Sequence, residues 1–465
     1  MKILIIINEP FDNMALGRNT SLSYILSCVK LGHEVYIYNL IDSLPKNRDD
    51  SVLVFHLTKN KTLCDVLIQN YQELNEEIML CVAAGDLKKL HNLKVRKVAE
   101  FLQEKNELNS LKLTEVEFVI QRLEPMKAPF PPAGEKDVND ILNQLRNLFP
   151  QLVFNCPINL SDKEIPLEIN QILRDKIATP TAAFQLEDLD FTSALENMTQ
   201  EYQKLYGKGT AKLVFKPKNS AQSLGVFAVK FIENGLDFSS LKTKKVEELR
   251  ASQAYEIKIG LNPKELKKII EILCFVQNTK TNKTLADITD AEILKTAKNL
   301  YQDEILVQPF LEGVKFGDIR TNFLKNDQGN FYTAGHTFRK SLHHEDKNFT
   351  TAYSTGGATS QPVTILAKEE LENLLTKNAV ILEILNGALK EKYIDVIELG
   401  ADFILVGDGR NIFLGEINHL CQGLLPISEA MTKAVDADAF YEGGLGLTSR
   451  AVRDGIFMQK GGRVE

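Results

Sequence analysis

The chain has 465 residues, enough for two or three packed domains, and its 44% hydrophobic and 25% charged content is ordinary for a folded globular protein. The formal net charge of −7 argues against a nucleic-acid binder, which needs a basic face to replace counterions. A local basic patch suited to phosphate or carboxylate substrates stays compatible with it. No apolar run approaches the roughly 20 residues of a membrane span, and Ile3 to Ile7 is too short for a signal-peptide core, so a soluble, cytoplasmic protein with no membrane partner is expected. The six cysteines (Cys28, Cys64, Cys81, Cys156, Cys274, Cys421) show no C-x-x-C spacing and are read as small buried apolar residues.

In chain order, the run Ile3-Leu4-Ile5-Ile6-Ile7 predicts a parallel strand covered on both faces. Apolar residues at Leu22, Ile25, Leu26 and Val29 predict a helix over Thr20 to Leu31 that Gly32 ends, and Glu34 to Tyr38 is the next strand. This βαβ unit opens an α/β sheet, but its first turn, Asn8-Glu9-Pro10-Phe11-Asp12, lacks the glycines of a dinucleotide loop. Residues 45–115 have helical periodicity. Val116 to Gln121 is another buried strand, followed by Arg122, a Pro-rich loop, a helix over 136–149 and a short strand at Leu152 to Phe154. Lys212 to Lys218 and Gly225 to Ile232 are two strands around a polar turn. The Lys- and Glu-rich stretch 236–300 is read as a helical, solvated insertion. Strands of antiparallel type follow at Ile305 to Phe310, Thr321 to Leu324, Phe331 to Thr337, Asp402 to Val406 and Ile412 to Gly415.

Three constellations carry chemistry. In the tail hairpin, alternation puts Asp402 on one face of its strand and Glu416 with Asn418 on one face of the return. If those faces coincide, two carboxylates and an amide oxygen suit Mg²⁺; a solvated polar hairpin is the alternative. Lys216 sits in the apolar strand Leu213-Val214-Phe215-Lys216, where an ammonium either meets an anion such as phosphate or snorkels from a sheet edge. Arg320 and Arg339 suit bidentate recognition of phosphate or carboxylate, or form surface ion pairs. Asn348 and the Gly356-Gly357 turn belong to a polar loop after them.

The order of these features resembles the ATP-grasp superfamily, and within it bacterial glutathione synthetase. The resemblance is carried by Asn8-Glu9-Pro10, Arg18-Asn19-Thr20-Ser21-Leu22, Arg122, Lys216-Pro217, Gln308 to Leu311, Gly317-Asp318-Ile319-Arg320, Arg339, Asn348, Gly356-Gly357 and Glu416-Ile417-Asn418. It implies an α/β and α+β fold: an N-terminal open parallel α/β domain (1–155), a small α+β lid (156–235), the insertion (236–300) and a C-terminal antiparallel-sheet domain (301–465). It further implies that Lys216, Ser220 and Ser223 bind ATP phosphates, that Gln308, Pro309, Phe310 and Leu311 meet adenine, and that Glu312 holds ribose. Asp402, Glu416 and Asn418 would hold Mg²⁺ or Mn²⁺. Arg320, Arg339 and Asn348 would steady the transferring phosphoryl group, and Arg18, Thr20, Ser21, Arg122, Gly356 and Gly357 would line the side of the peptide and amino-acid substrates. The implied reaction is γ-glutamylcysteine plus glycine plus ATP giving glutathione, ADP and phosphate. A ligase for another amino acid or peptide, and a non-catalytic nucleotide-binding protein, are the alternatives; homo-oligomerisation stays open. The chain departs from the family pattern in its glycine-poor lid turn, Asn219 to Gly225, and near Pro166, where the family has an earlier ATP lysine for which Lys163 or Lys176 are the alternatives here.

Overall fold

The computed structural model describes residues 1–17, 19–40, 45–47, 50–102, 108–123, 134–148, 165–173, 177–185, 191–218, 225–301, 304–341, 358–394, 396–418 and 425–461. Three five-stranded sheets follow one another along the chain, giving the mixed α/β and α+β class expected.

In the first sheet, β1 (Lys2–Ile7) is buried from Ile3 onward and lies between two parallel neighbours. α1 (Thr20–Lys30) leads from it to β2 (Glu34–Asn39). Asn19 caps α1, its side-chain oxygen accepting from the Leu22 amide at 2.8 Å, and Gly32 ends it in a left-handed conformation (φ 77°). The segment read as helical holds α2 (Lys61–Ala83) and α3 (Leu87–Asn92), but also two strands, β3 (Ser51–His56) and β4 (Asn109–Lys112). These add antiparallel to β2 in the order β4-β3-β2-β1-β5, with β5 (Phe118–Arg122) on the far side of β1. Along β3 only Val52 and Val54 are buried, too few apolar residues to stand out beside the charged helices. α4 (Gly134–Leu148) and α5 (Ile165–Leu173) complete this part of the chain; the expected strand at 152–154 lies outside the described residues.

The second sheet has the order β6-β10-β7-β8-β9. Its elements are β6 (Ala182–Gln185), α6 (Phe191–Tyr206), β7 (Lys212–Pro217), β8 (Phe227–Ile232), α7 (Phe238–Lys242), α8 (Val246–Arg250), β9 (Ala254–Lys258), α9 (Pro263–Asn278), α10 (Asp290–Tyr301) and β10 (Glu304–Pro309). Two expectations are corrected here. The stretch 236–300 is no solvated insertion: β9 pairs parallel to β8, and Ile269, Ile272, Leu273 and Val276 of α9 sit in the core with Leu213, Phe215 and Phe227. β10 pairs with β6 and β7, so the second sheet closes only after residue 301.

The third sheet is antiparallel throughout, β13-β12-β11-β14-β15, formed by β11 (Gly317–Lys325), β12 (Phe331–Ser341), β13 (Ala358–Gln361), β14 (Glu398–Leu405) and β15 (Ile412–Asn418). One face packs Ile319, Phe323, Phe338, Leu399, Ala401 and Phe403 against Leu374, Ile381 and Leu385 of α11 (Lys368–Asn386). α12 (Leu425–Val435) and α13 (Gly446–Gly461) return to the first sheet, where Leu425, Leu447 and Val452 share a core with Ile5, Leu22 and Ile25. Cys28, Cys64, Cys81 and Cys274 are buried free thiols, as expected; Cys156 and Cys421 lie outside the described residues. Among the described residues no helix is long and apolar enough to cross a membrane.

Candidate active site

Strand alternation sorts the third sheet into an apolar face and a polar one. Ile319 and Phe323 face α11, which puts Asp318, Arg320 and Asn322 of β11 on the opposite side. Register then aligns the neighbours: Arg339 lies opposite Asp318, Thr337 and Asp402 opposite Arg320, Gly400 opposite Asn322, and Glu416 opposite Asp402. The pairing of β14 with β15 shifts after Asp402, where Gly415 is the extra residue. A Cβ on Gly415 would stand 2.7 Å from the Ile404 side chain, so glycine permits this bulge beside the carboxylates.

On this face Asp318, Arg339, Asp402 and Arg320 form a ladder of ion pairs in that order, each residue only 5–7% exposed. Arg339 donates through Nε and Nη2 to the two Asp318 oxygens, both at 2.5 Å, and its Nη2 lies 3.0 Å from Asp402 Oδ2. Arg320 donates through Nε to Asp402 Oδ1 and through Nη2 to Oδ2 at 2.8 Å. Asn418 adds its Nδ2 to Asp402 Oδ2 at 3.1 Å. Burial alone would raise the Asp402 pKa, but the two guanidiniums outweigh it and hold the carboxyl well below the usual range. Burial would likewise lower the Arg339 pKa, and Asp318 with Asp402 reverses that. Asp402 and Arg339 therefore carry opposite charges at neutral pH.

The expected metal ligands thus come together on neighbouring strands, with oxygen-only donors that fit Mg²⁺ in kind. Among the described residues, however, no group of three or more His, Cys, Asp or Glu side chains is arranged to hold a metal ion. Asp402 is shared between two arginines, leaving half-buried Glu416 as the more accessible carboxylate. A cation engages Asp402 only by exchange with a guanidinium.

Lys216 is half-buried on β7, whose other alternation, Leu213 and Phe215, fills the core of the second sheet. Lys216 therefore projects from the face opposite α9. The expected adenine segment is buried: Gln308 donates to Thr181 Oγ1 at 2.8 Å, the Phe310 amide is committed to the Lys212 carbonyl at 2.9 Å, and Leu311 packs with Val406 and Phe413. Pro309 closes β10 and is buried too. Glu312 pairs with Lys315 at 2.8 Å, and its amide donates to the Tyr206 hydroxyl, which itself donates to the Val406 carbonyl at 2.6 Å. Tyr206 so joins α6, the connection between the second and third sheets, and the end of β14. The fit there is tight: a Cβ on Gly313 would lie 2.4 Å from the Leu405 carbonyl oxygen.

The predicted substrate residues Ser21 and Arg122 meet at the C-terminal end of the first sheet. Arg122 donates from Nε to Ser21 Oγ at 3.2 Å and from Nη1 to Glu398 Oε1 at 2.5 Å, its guanidinium 5.0 Å from the Tyr24 ring centre. Tyr24 donates to the other Glu398 oxygen at 2.5 Å. Thr20, at the start of α1, keeps a buried hydroxyl oxygen with no hydrogen-bond partner among the described residues. Arg122 is thus paired with an acid of β14.

Arg18, Ser220, Ser223, Asn348, Gly356 and Gly357 lie outside the described residues. Sequence reasoning missed Asp318, Glu398, Tyr24 and Tyr206. For the two acids a signal existed: each has even spacing from a predicted site residue, two before Arg320 and four before Asp402, hence the same strand face.

No protein-family model matches the chain, and no curated protein matches it. Among solved structures it is similar to D-alanyl-alanine synthetase A from Vibrio cholerae, with 10% identity, 98% of each chain covered and a TM-score of 0.46. It is also similar to the VanG D-Ala:D-Ser ligase from Enterococcus faecalis, with 13% identity over 98% of this chain and 99% of that one, TM-score 0.45. Biotin carboxylase from Campylobacter jejuni gives 10% identity over 98% of this chain and 71% of that one, TM-score 0.47. Identities this low say nothing about substrate.

Proposed function

We propose that this protein is an ADP-forming, ATP-dependent carboxylate–amine ligase of the ATP-grasp type, acting through an acyl phosphate. One observation carries the reading: two arginines are held on a buried polar sheet face beside Glu416 and Asn418. Such a face neutralises charge that develops during phosphoryl transfer without needing a side-chain nucleophile. In the proposed reaction a substrate carboxylate oxygen attacks the γ-phosphorus of ATP, and the bond to the bridging oxygen breaks to release ADP. An amine then attacks the acyl carbon, phosphate leaves, and the amine gives up a proton. Arg320 and Arg339 orient the transferring group and the acyl phosphate, Lys216 reaches the phosphates from the second sheet, and burial limits hydrolysis. Bound Mg²⁺, held by Glu416, Asn418 and Asp402, would supply further neutralisation of phosphate charge.

Glutathione synthesis is the specific reaction that the sequence resemblance suggests. A different amino-acid or peptide substrate is favoured by one structural observation: the Arg122 guanidinium, expected to receive substrate, is neutralised by Glu398. The Thr20 hydroxyl, one residue before Ser21 and without a hydrogen-bond partner among the described residues, suits a neutral or zwitterionic group better than a second carboxylate. Measuring ADP release with γ-glutamylcysteine and glycine against a panel of free amino acids decides between them. ADP release only with the first pair supports glutathione synthesis; release only with free amino acids supports the other ligase.

A further inference from the structure

The proposed transfer needs two sheets held in register. Lys216 and β10, which carry the nucleotide in the ligase reading, belong to the second sheet, and Arg320 and Arg339 to the third. Backbone joins the two where the Thr179 amide donates to the Leu414 carbonyl at 2.8 Å and the Leu414 amide to the Ile177 carbonyl at 3.1 Å. A further junction, at the end of β14, runs through one side chain. The Tyr206 hydroxyl donates to the Val406 carbonyl at 2.6 Å and accepts from the Glu312 amide at 2.9 Å. These roles cannot be exchanged, because a carbonyl only accepts, an amide N–H only donates, and a phenol has a single proton. Burial raises the Tyr206 pKa, so the phenol keeps that proton. Tyr202, one helical turn earlier on α6, braces the ring at a centroid distance of 4.8 Å and donates to Glu312 Oε1 at 3.4 Å. The Tyr206 ring packs against the apolar cluster of Leu311, Val406 and Phe413. Such packing is non-directional and holds the surfaces together. The two bonds of the hydroxyl are directional and set the angle at which the surfaces meet.

We propose that Tyr206 is a positioning residue whose hydroxyl fixes the nucleotide-bearing sheet against the arginine-bearing face, so that the γ-phosphorus of ATP meets the attacking carboxylate in line. This deepens the ligase reading and rests on it. The hydrogen bonds of Tyr206 go to the crossing from β10 to β11 and to the end of β14, not to Lys216, Arg320 or Arg339. Its hydroxyl therefore serves alignment rather than affinity, and a misplacement of about 1 Å is enough to slow a transfer about 100-fold.

The test compares wild type with Tyr206→Phe, which keeps the ring and removes the hydroxyl. Affinity is read by equilibrium dialysis of the full chain with AMP-PNP, a non-hydrolysable ATP analogue, in Mg²⁺. Turnover is read as ADP release from ATP with γ-glutamylcysteine and glycine and with pairs of free amino acids, using the pair that wild type turns over fastest. The expected result is a kcat lowered about 10–100-fold with AMP-PNP affinity kept within about twofold. A Tyr206 that only supports the fold or the nucleotide pocket would lose affinity and turnover together. A loss of affinity as large as the loss of kcat therefore overturns the inference, and so does an unchanged kcat. No ADP release by wild type with any pair removes the ligase reading and the inference with it; turnover by wild type that the variant matches removes the inference alone. Should the variant not fold, hydrogen exchange of the Glu312 amide in wild type decides: strong protection supports the inference, and exchange at the rate of an unstructured chain overturns it.

Discussion

Two buried clusters lie on one face of the third sheet, about 13 Å apart along β14, and they differ in where their partners come from. The Asp318–Arg320–Arg339–Asp402 ladder is built from neighbouring strands of a single sheet. The Tyr24–Arg122–Glu398 cluster joins α1 and β5 of the first sheet to the start of β14. The ladder is preformed by strand pairing within that one sheet. The second cluster exists only while two sheets stay docked, so it clamps the molecule and orients Ser21. Equal chemistry thus serves assembly in one place and, in the proposed reading, binding in the other.

Breaking the clamp should have the largest effect. Glu398→Ala leaves Arg122 buried without its acid and is expected to cost about 3–5 kcal/mol in urea unfolding. A loss below about 1 kcal/mol, the scale of a surface pair, would show that the sheets are held by apolar packing alone. Glu429 of α12 sharpens the contrast, being a buried carboxylate that faces backbone amides of Glu442 and Leu447 rather than a cation. Burial first of all raises its pKa from 4.5 to about 7. The folded chain therefore holds a proton that the unfolded chain has already lost. Its contribution to stability is full below 4.5, declines as pH rises, and is gone above about 7. Thermal unfolding of wild type and Glu429→Gln at about pH 5 and about pH 7.5 checks this, since the variant should lose that decline.

Within the ladder region, Glu416→Gln is expected to raise the Mg²⁺ concentration needed for ADP release about 10–100-fold with little loss of stability. Unchanged metal dependence would remove Glu416 from the site. The smallest change is expected at the junction of the second and third sheets. Gly313→Ala presses a methyl group onto the Leu405 backbone and should destabilise by about 1–3 kcal/mol, read from thermal unfolding.

Much of this was legible in the sequence wherever a single strand carried the information. Ile3 to Ile7 reads as a doubly covered strand, and alternation put Asp402 on one face of its strand and Glu416 with Asn418 on one face of the return, which the register then pairs as Asp402 with Glu416 and Gly400 with Asn418. What each side chain is committed to was not legible, because Arg320 with Asp402 and Arg122 with Glu398 depend on register between segments far apart in the chain. The stretch 236–300 misled for a different reason: the lysines and glutamates around Ile269, Ile272, Leu273 and Val276 mask a buried helical stripe when charge is counted without period.

The central claim is that the arginine-bearing face of the third sheet is the phosphoryl-transfer site of a ligase. The most direct measurement is ADP release by wild type and by Arg320→Gln over a panel of carboxylate–amine pairs with Mg²⁺ and ATP. The account predicts release by wild type that requires a matched pair and falls about 10²–10³-fold in the variant. No release with any pair from folded wild type that binds ATP, or equal release from the variant, would contradict it.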